Sequence, residues 1–291
     1  MTAELDLARA AVFCDGLDHA EGVATHPDGS VWAGGEAGQI YRISPDGRDI
    51  DEVACTNGFT LGIAFSPGAD WLAVCDLKGQ CLWRLDVTSG RLERLADRAG
   101  DHRFAIPNHA CFAADGTLYV SESGAFDAAT GKVLRFDASD PAKGEVWHAG
   151  PFRFANGTAL SPDGRWLHVV CSWLPGVERI EVRDDGTAGR RDVYATLPDT
   201  VPDGIAFDAQ GDLLVGCYTP ARLYRVAPDR TVRCLIEDPT AHTLCSPTNL
   251  AFGGDDHRDL FTANLGRWHL TRITMDEAGH RLPSHRTEDV R

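Results

Sequence analysis

An all-β chain built from six copies of one four-stranded unit, a six-bladed β-propeller, is what this sequence predicts, on three observations. A pattern of short apolar strand, Pro-Asp-Gly-like turn, second apolar strand, gap, and third strand ending in Arg plus an apolar residue recurs six times. Its copies begin at Gly22, Gly62, His109, Gly157, Gly204 and Asn249, so the starts lie 40, 47, 48, 47 and 45 residues apart, the period of propeller blades. Helical periodicity is nearly absent, and the runs are short, rich in β-branched and aromatic residues, and bounded by Gly, Pro, Asp or Asn.

The first copy reads GVATHPDGSVWAGGEAGQIYRI and the second GIAFSPGADWLAVCDLKGQCLWRL. Copy three, HACFAADGTLYVSES, resumes as GKVLRF after an insertion, and copies four to six run from Gly157, Gly204 and Asn249. Segments such as 192–197 and 231–236 supply a fourth strand, which completes a four-stranded blade. The sixth copy has no such segment, whereas Ala10-Ala11-Val12-Phe13 precedes the first copy without a partner. Residues 8–14 are therefore expected to close the ring as the last strand of blade six. The charged, Pro-containing tail from about Arg281 reads as a loose end, and residues 1–291 as one propeller domain.

With 291 residues, 43% apolar and 24% charged, the chain has ample material for a core. Its formal charge of −15 is spread without a basic block, which excludes nucleic acid and anionic membranes as expected partners, since both reward clustered Lys and Arg. The N-terminus lacks the cationic and apolar regions of a signal peptide, so a cytoplasmic protein, monomeric because propellers bury their own edges, is expected. Nine scattered cysteines, odd in number and without a C-x-x-C pair, read as reduced core residues. G-x-S-x-G, H-E-x-x-H, Walker and EF-hand patterns are absent.

The innermost strand of each blade runs along the channel, so the residue just before it takes the same ring position every time. Those residues are Glu21, Leu61, Asn108, Asn156, Asp203 and Thr248, five of which carry a side-chain oxygen. Any one of them can be a turn former. As a column, they bring two carboxylates together without a matching cation, an arrangement that one divalent ion relieves. Oxygen ligands favour Ca²⁺, Mg²⁺ or Mn²⁺, and carboxylates also bind Zn²⁺. Further channel-facing candidates, at the ends of second strands, are Glu36, Asp76, Glu122, Trp173, Tyr218 and Asn264, while His19, His102 and His109 fall near mouth loops.

The segments Ala20-Glu21-Gly22, Pro107-Asn108-His109, Phe154 to Gly164 and Pro202-Asp203-Gly204 resemble the motifs of the senescence-marker-protein, gluconolactonase and luciferin-regenerating-enzyme family, over about residues 15–275. That resemblance implies that Glu21, Asn156 and Asp203 bind one divalent metal, that Asn108 contacts water or substrate, and that Asp203 is the general base. It implies hydrolysis of a lactone or related cyclic ester; His109, Trp173 and Tyr218, by their positions near the mouth and after the second strands, are further substrate-binding candidates. Sugar-lactonase members carry Arg where this chain has Ile106 and often Asp where it has His109, so an aromatic or aliphatic lactone or ester is expected instead of a sugar. Two alternatives stay open: a non-catalytic interaction platform, and a metal-dependent propeller catalysing ester hydrolysis, isomerisation or a strictosidine-synthase-like condensation.

Overall fold

The computed structural model describes residues 2–286. Six four-stranded antiparallel sheets follow one another around a ring. Their innermost strands are Val23–Thr25, Thr60–Phe65, Pro107–Phe112, Ala155–Leu160, Val201–Phe207 and Pro247–Gly253. A two-stranded piece, Arg98–Ala99 with His102–Arg103, decorates the link between blades two and three. No helix is long and apolar enough to cross a membrane.

Ring closure follows the expectation from strand counting. Ala10–Asp15 pairs antiparallel with His269–Thr274 as the outermost strand of blade six. Just upstream, Glu4 and Leu5 donate their backbone N–H groups to Cys234 and Leu235 on the outer strand of blade five. One N-terminal segment thus ties the outer edges of blades five and six and satisfies backbone groups that an open ring would leave bare. The described part of the tail, in contrast, is not loose. Pro283–His285 forms a turn of 3₁₀ helix, Ser284 is buried, and His285 Nε2 lies 3.0 Å from the Thr25 carbonyl oxygen. Apolar Leu282 and Pro283 line the far end of the channel, which gives this segment a surface to dock on and overturns the expected loose end there; residues 287–291 lie outside the described residues.

No single core exists. Six apolar clusters are found, one in each wedge between neighbouring blades. Trp71 of blade two, for instance, meets Phe112 of blade three edge-to-face at 5.1 Å. Middle strands are covered on both faces, so Trp71–Asp76 is buried throughout and reads as a continuous apolar run, while the outer strand Ile50–Cys55 is not. All nine cysteines are free, and six of them, including Cys75, Cys171 and Cys217, are buried.

The ring-level residues lie inside the innermost strands instead of just before them in blades two to six, because those strands begin two to three residues earlier than the apolar pattern shows. At each of these five places the pairing with the second strand is interrupted by a β-bulge, between Thr60 and Ile63, Pro107 and His109, Ala155 and Thr158, Pro202 and Ile205, and Pro247 and Leu250. A bulge releases one or two residues from the ladder and re-aims their side chains, here toward the axis. Glycine follows the ring residue in four blades because neighbouring strands touch there: a Cβ on Gly62 would sit 2.7 Å from His109 Cα and 2.8 Å from the Asn108 carbonyl oxygen. Gly62→Ala is therefore expected to cost about 1–3 kcal/mol through overpacking against backbone, read as a lowered denaturant midpoint at unchanged m-value.

Candidate metal centre

Six positions converge where the innermost strands enter the channel. Glu21, Leu61, Asn108, Asn156, Asp203 and Thr248 are all buried. Glu21 Oε2, Asn108 Oδ1, Asn156 Oδ1 and Asp203 Oδ1 are buried acceptor atoms without a hydrogen-bond partner. Natural proteins leave few such atoms, and four from equivalent ring positions make this level the candidate for a cation.

Each side chain is fixed from behind. Asn156 Nδ2 donates to Ser172 Oγ at 3.2 Å, and Ser172 Oγ donates to the Pro202 carbonyl oxygen at 2.8 Å. With its nitrogen engaged, the amide turns Oδ1 into the ring, and the same hydroxyl holds the strand that carries Asp203. Across the blade six to blade one junction, Thr248 Oγ1 and Asn249 Nδ2 donate to the Glu21 carbonyl oxygen at 2.7 and 2.9 Å. Thr248 thus spends its hydroxyl on positioning Glu21. Ser172 and Asn249 were not identifiable from the column alone; both sit one residue from positions that the repeat alignment does single out, Trp173 and Thr248.

Burial, with the neighbouring Asp203 charge second, holds the Glu21 carboxyl well above the ordinary range. Burial likewise pushes Asp203 up to about 7, the Asn156 amide opposing it. The oxygens fit a divalent ion on this ground: they are buried, acceptor-only when ionised, and short of positive charge. Glu21, Asn156 and Asp203 can hold such an ion, with Asn108 beside them.

The remaining candidates divide. His109 follows Asn108 but faces the channel beneath the ring, where its Nδ1 accepts from the Thr158 backbone N–H at 3.2 Å and burial pushes it down to about 4, the Asn249 amide opposing. Its Nε2 therefore carries the proton of the neutral ring. Trp173 stands on a mouth loop, half-buried, and Tyr218 is exposed near the end of the second strand of blade five, Leu213–Thr219; Glu36 is on a mouth loop, with its Oε2 2.9 Å from His19 Nδ1. Asp76, Glu122 and Asn264 do not face the channel as expected. Asp76 accepts from the Phe59 and Gly79 N–H groups, Glu122 from Ile106 N–H at 2.8 Å, and Asn264 from Cys245 N–H at 3.0 Å. In each of the three blades this side chain clasps the loop that enters its own innermost strand, satisfying backbone donors buried under the mouth.

Fold and site together define a β-propeller with buried, unpartnered oxygens of Glu21, Asn108, Asn156 and Asp203 where its innermost strands enter the channel. Residues 56–264 match the SMP-30/Gluconolactonase/LRE-like region, and the chain belongs to that family. The match takes in Asn108, Asn156 and Asp203, while Glu21 lies before it and is placed by the geometry alone. A 6-deoxy-6-sulfogluconolactonase of Pseudomonas putida is 33% identical over 149 residues, 50% of this chain and 47% of that protein. Regucalcin of Danio rerio is 30% identical over 144 residues, 48% of each chain. The chain thus matches about half the length of these curated relatives. Among solved structures, a gluconolactonase from Xanthomonas campestris superposes with a TM-score of 0.78 at 21% identity, covering 91% of this chain and 89% of that one. A calcium-binding regucalcin from Agrobacterium tumefaciens gives 0.75 at 16% identity, covering 94% and 96%. At those identities the likeness is one of fold.

Because both carboxyls have their folded-state pKa raised above the unfolded value, they favour folding while protonated, and that contribution is lost as pH rises through the folded value. Protein kept in chelator is therefore expected to melt at higher temperature at pH 5 than at pH 8, and saturating divalent cation should remove most of the difference. Scanning calorimetry at the two pH values, with and without the cation, checks this.

Proposed function

We propose that this chain is a divalent-metal-dependent hydrolase that opens a lactone or related cyclic ester of a small molecule, with Glu21, Asn156 and Asp203 holding the ion and Asp203 acting as general base. The observation that carries the reading is the set of four buried, unpartnered oxygens at one ring level, supported by membership of a family whose relatives are named for lactone hydrolysis. One ion of Ca²⁺, Zn²⁺, Mn²⁺ or Mg²⁺, when bound there, would supply Lewis-acid polarisation of the carbonyl and stabilise charge on its oxygen.

The chain's own groups do the rest. Asp203 has the basicity to take a proton from an attacking water, since burial lifts it toward the working pH. The water oxygen adds to the lactone carbonyl carbon, the ring C–O bond breaks, and the abstracted proton leaves on the freed alkoxide, giving the hydroxy acid. Asn108, with its amide oxygen unpaired at the same level, orients water or substrate. His109 forms the floor below that level, and Trp173 and Tyr218 stand on the mouth above it.

Hydrolysis of sugar, aliphatic and aromatic lactones by chelated protein, with single cations added back, tests the reading; turnover that stays absent with every cation sinks it. Asp203→Asn is expected to lower kcat by at least 10²-fold with an unchanged circular dichroism spectrum. Ser172→Ala should weaken cation binding by roughly 10–100-fold, measured by calorimetric titration, because it frees the Asn156 amide to rotate.

A further inference from the structure

Resting on the hydrolase reading, the structure assigns the wall of the mouth at blades three and four, built by Phe126, Phe154 and Trp173, to an apolar, preferably aromatic, substituent of a neutral lactone. These three side chains come from different loops. Phe126 lies in the loop between the second and third strands of blade three, Phe154 in the link between blades three and four, and Trp173 after the second strand of blade four. They meet as a trio, with ring centroids 5.1 Å apart for Phe126 and Trp173, 5.3 Å for Phe126 and Phe154, and 5.5 Å for Phe154 and Trp173.

Three features tie the trio to a ligand. It adjoins the cation position, since Phe154 is two residues before Asn156 and Trp173 follows Ser172, the hydroxyl that orients the Asn156 amide. Its outer member is exposed and the other two are half-buried: Phe126 is 65% exposed, the most of any large apolar side chain among the described residues. Trp173 Nε1 is buried without a partner, a donor that lacks an acceptor. Phe154 in addition holds a φ of +61°, a backbone conformation that bulky residues rarely adopt, which brings its ring into the trio.

Diametrically across the ring, at the junction of blades six and one, the mouth carries Asp18, His19 and Glu36, with Trp268 against His19 at 5.2 Å. Two carboxylates on that wall, and a net charge of −15 over the chain, disfavour an anionic substituent there. Leu61 on the ring and Ile106 on the approach add no hydrogen-bonding group for the hydroxyls of a sugar. A lactone bound with its carbonyl at the cation position therefore directs an apolar group toward blades three and four, where the aromatic trio covers it.

The test compares phenyl- or hexyl-substituted γ-lactones with the parent γ-lactone, a sugar lactone and a carboxylate-bearing lactone, in metal-loaded wild type, Phe126→Ala and Trp173→Phe. Calorimetric binding of the matching non-hydrolysable lactams runs in parallel. Phenyl lactam should bind at least tenfold tighter than parent lactam, and the substituted-to-parent ratio of kcat/KM should show the same preference, mainly through KM. Phe126→Ala should reduce both ratios about tenfold, and Trp173→Phe, which keeps an aromatic ring in the trio, should leave them within about twofold. Equal affinity for phenyl and parent lactams, a preference for the sugar or anionic ring, or a phenyl preference untouched in Phe126→Ala overturns the proposal. Phenyl-selective binding that falls in Phe126→Ala, with no turnover under any cation, upholds this wall and removes the hydrolase reading alone.

Discussion

The structure is organised around one electrostatic constraint: two carboxylates and two amide oxygens are held, buried, at a single level of a narrow ring. Burial alone raises both Glu21 and Asp203, and the charge of one adds to the cost of ionising the other. Folding can bear this because the cost is spread over the frame. Six apolar wedges fix the blades, and the oxygens are placed by groups that have no freedom of their own, Ser172 beneath Asn156 and Thr248 with Asn249 behind Glu21. Oxygens assembled in this way are preorganised, so a cation bound among them would remove repulsion instead of recruiting ligands.

The bulges in the innermost strands are the device that makes convergence possible. A regular strand alternates its side chains between the two neighbouring blades, and none would point along the axis. Interrupting the ladder at the ring level in blades two to six frees a residue to turn inward, while in blade one Glu21 precedes the strand, and the glycine after the ring residue lets the next strand come within backbone contact. Blades three and six depart from that rule by carrying His109 and Asn249 where the others have glycine. Both side chains reach the next blade, His109 to Thr158 and Asn249 to Glu21. They supply polar cross-links at opposite points of the ring.

Much of the frame was legible in the sequence because a propeller writes its period into the chain. Six Gly-bounded apolar pairs, and a lone strand at Ala10 answering a missing one after Thr274, give blade number and closure. The ring column was legible for the same reason, since equivalent positions must converge. What the alignment could not show was which polar residues look inward and which serve the backbone. Asp76, Glu122 and Asn264 share the chemistry of cation ligands, yet each is consumed by N–H groups of an entering loop whose path is not periodic. The same limit applies to the C-terminal segment, whose charge and proline signal solvent while Ser284 and His285 are held at the far end of the channel. Ser172, a common residue at the end of an apolar strand, becomes meaningful only when Pro202 of the next blade is beside it.

The channel below the ring completes the argument about access. Its cavity of about 780 Å³ is lined by innermost-strand residues such as Ile63, Phe65 and Phe207, with His109 at its upper end and Leu282 to Arg286 at its lower end. His109 and Asn249 stand between that space and the unpaired oxygens, and the lower opening carries a docked segment of chain. Under the proposed function a ligand approaches the oxygens from the mouth, past the loops, and selectivity is set there. Loops vary freely on a fixed propeller frame, because they carry none of the wedge packing that holds the blades. Under that reading the oxygen ring is kept rigid by the blades while the wall above it, aromatic on one side and acidic on the other, is set by a handful of loop side chains.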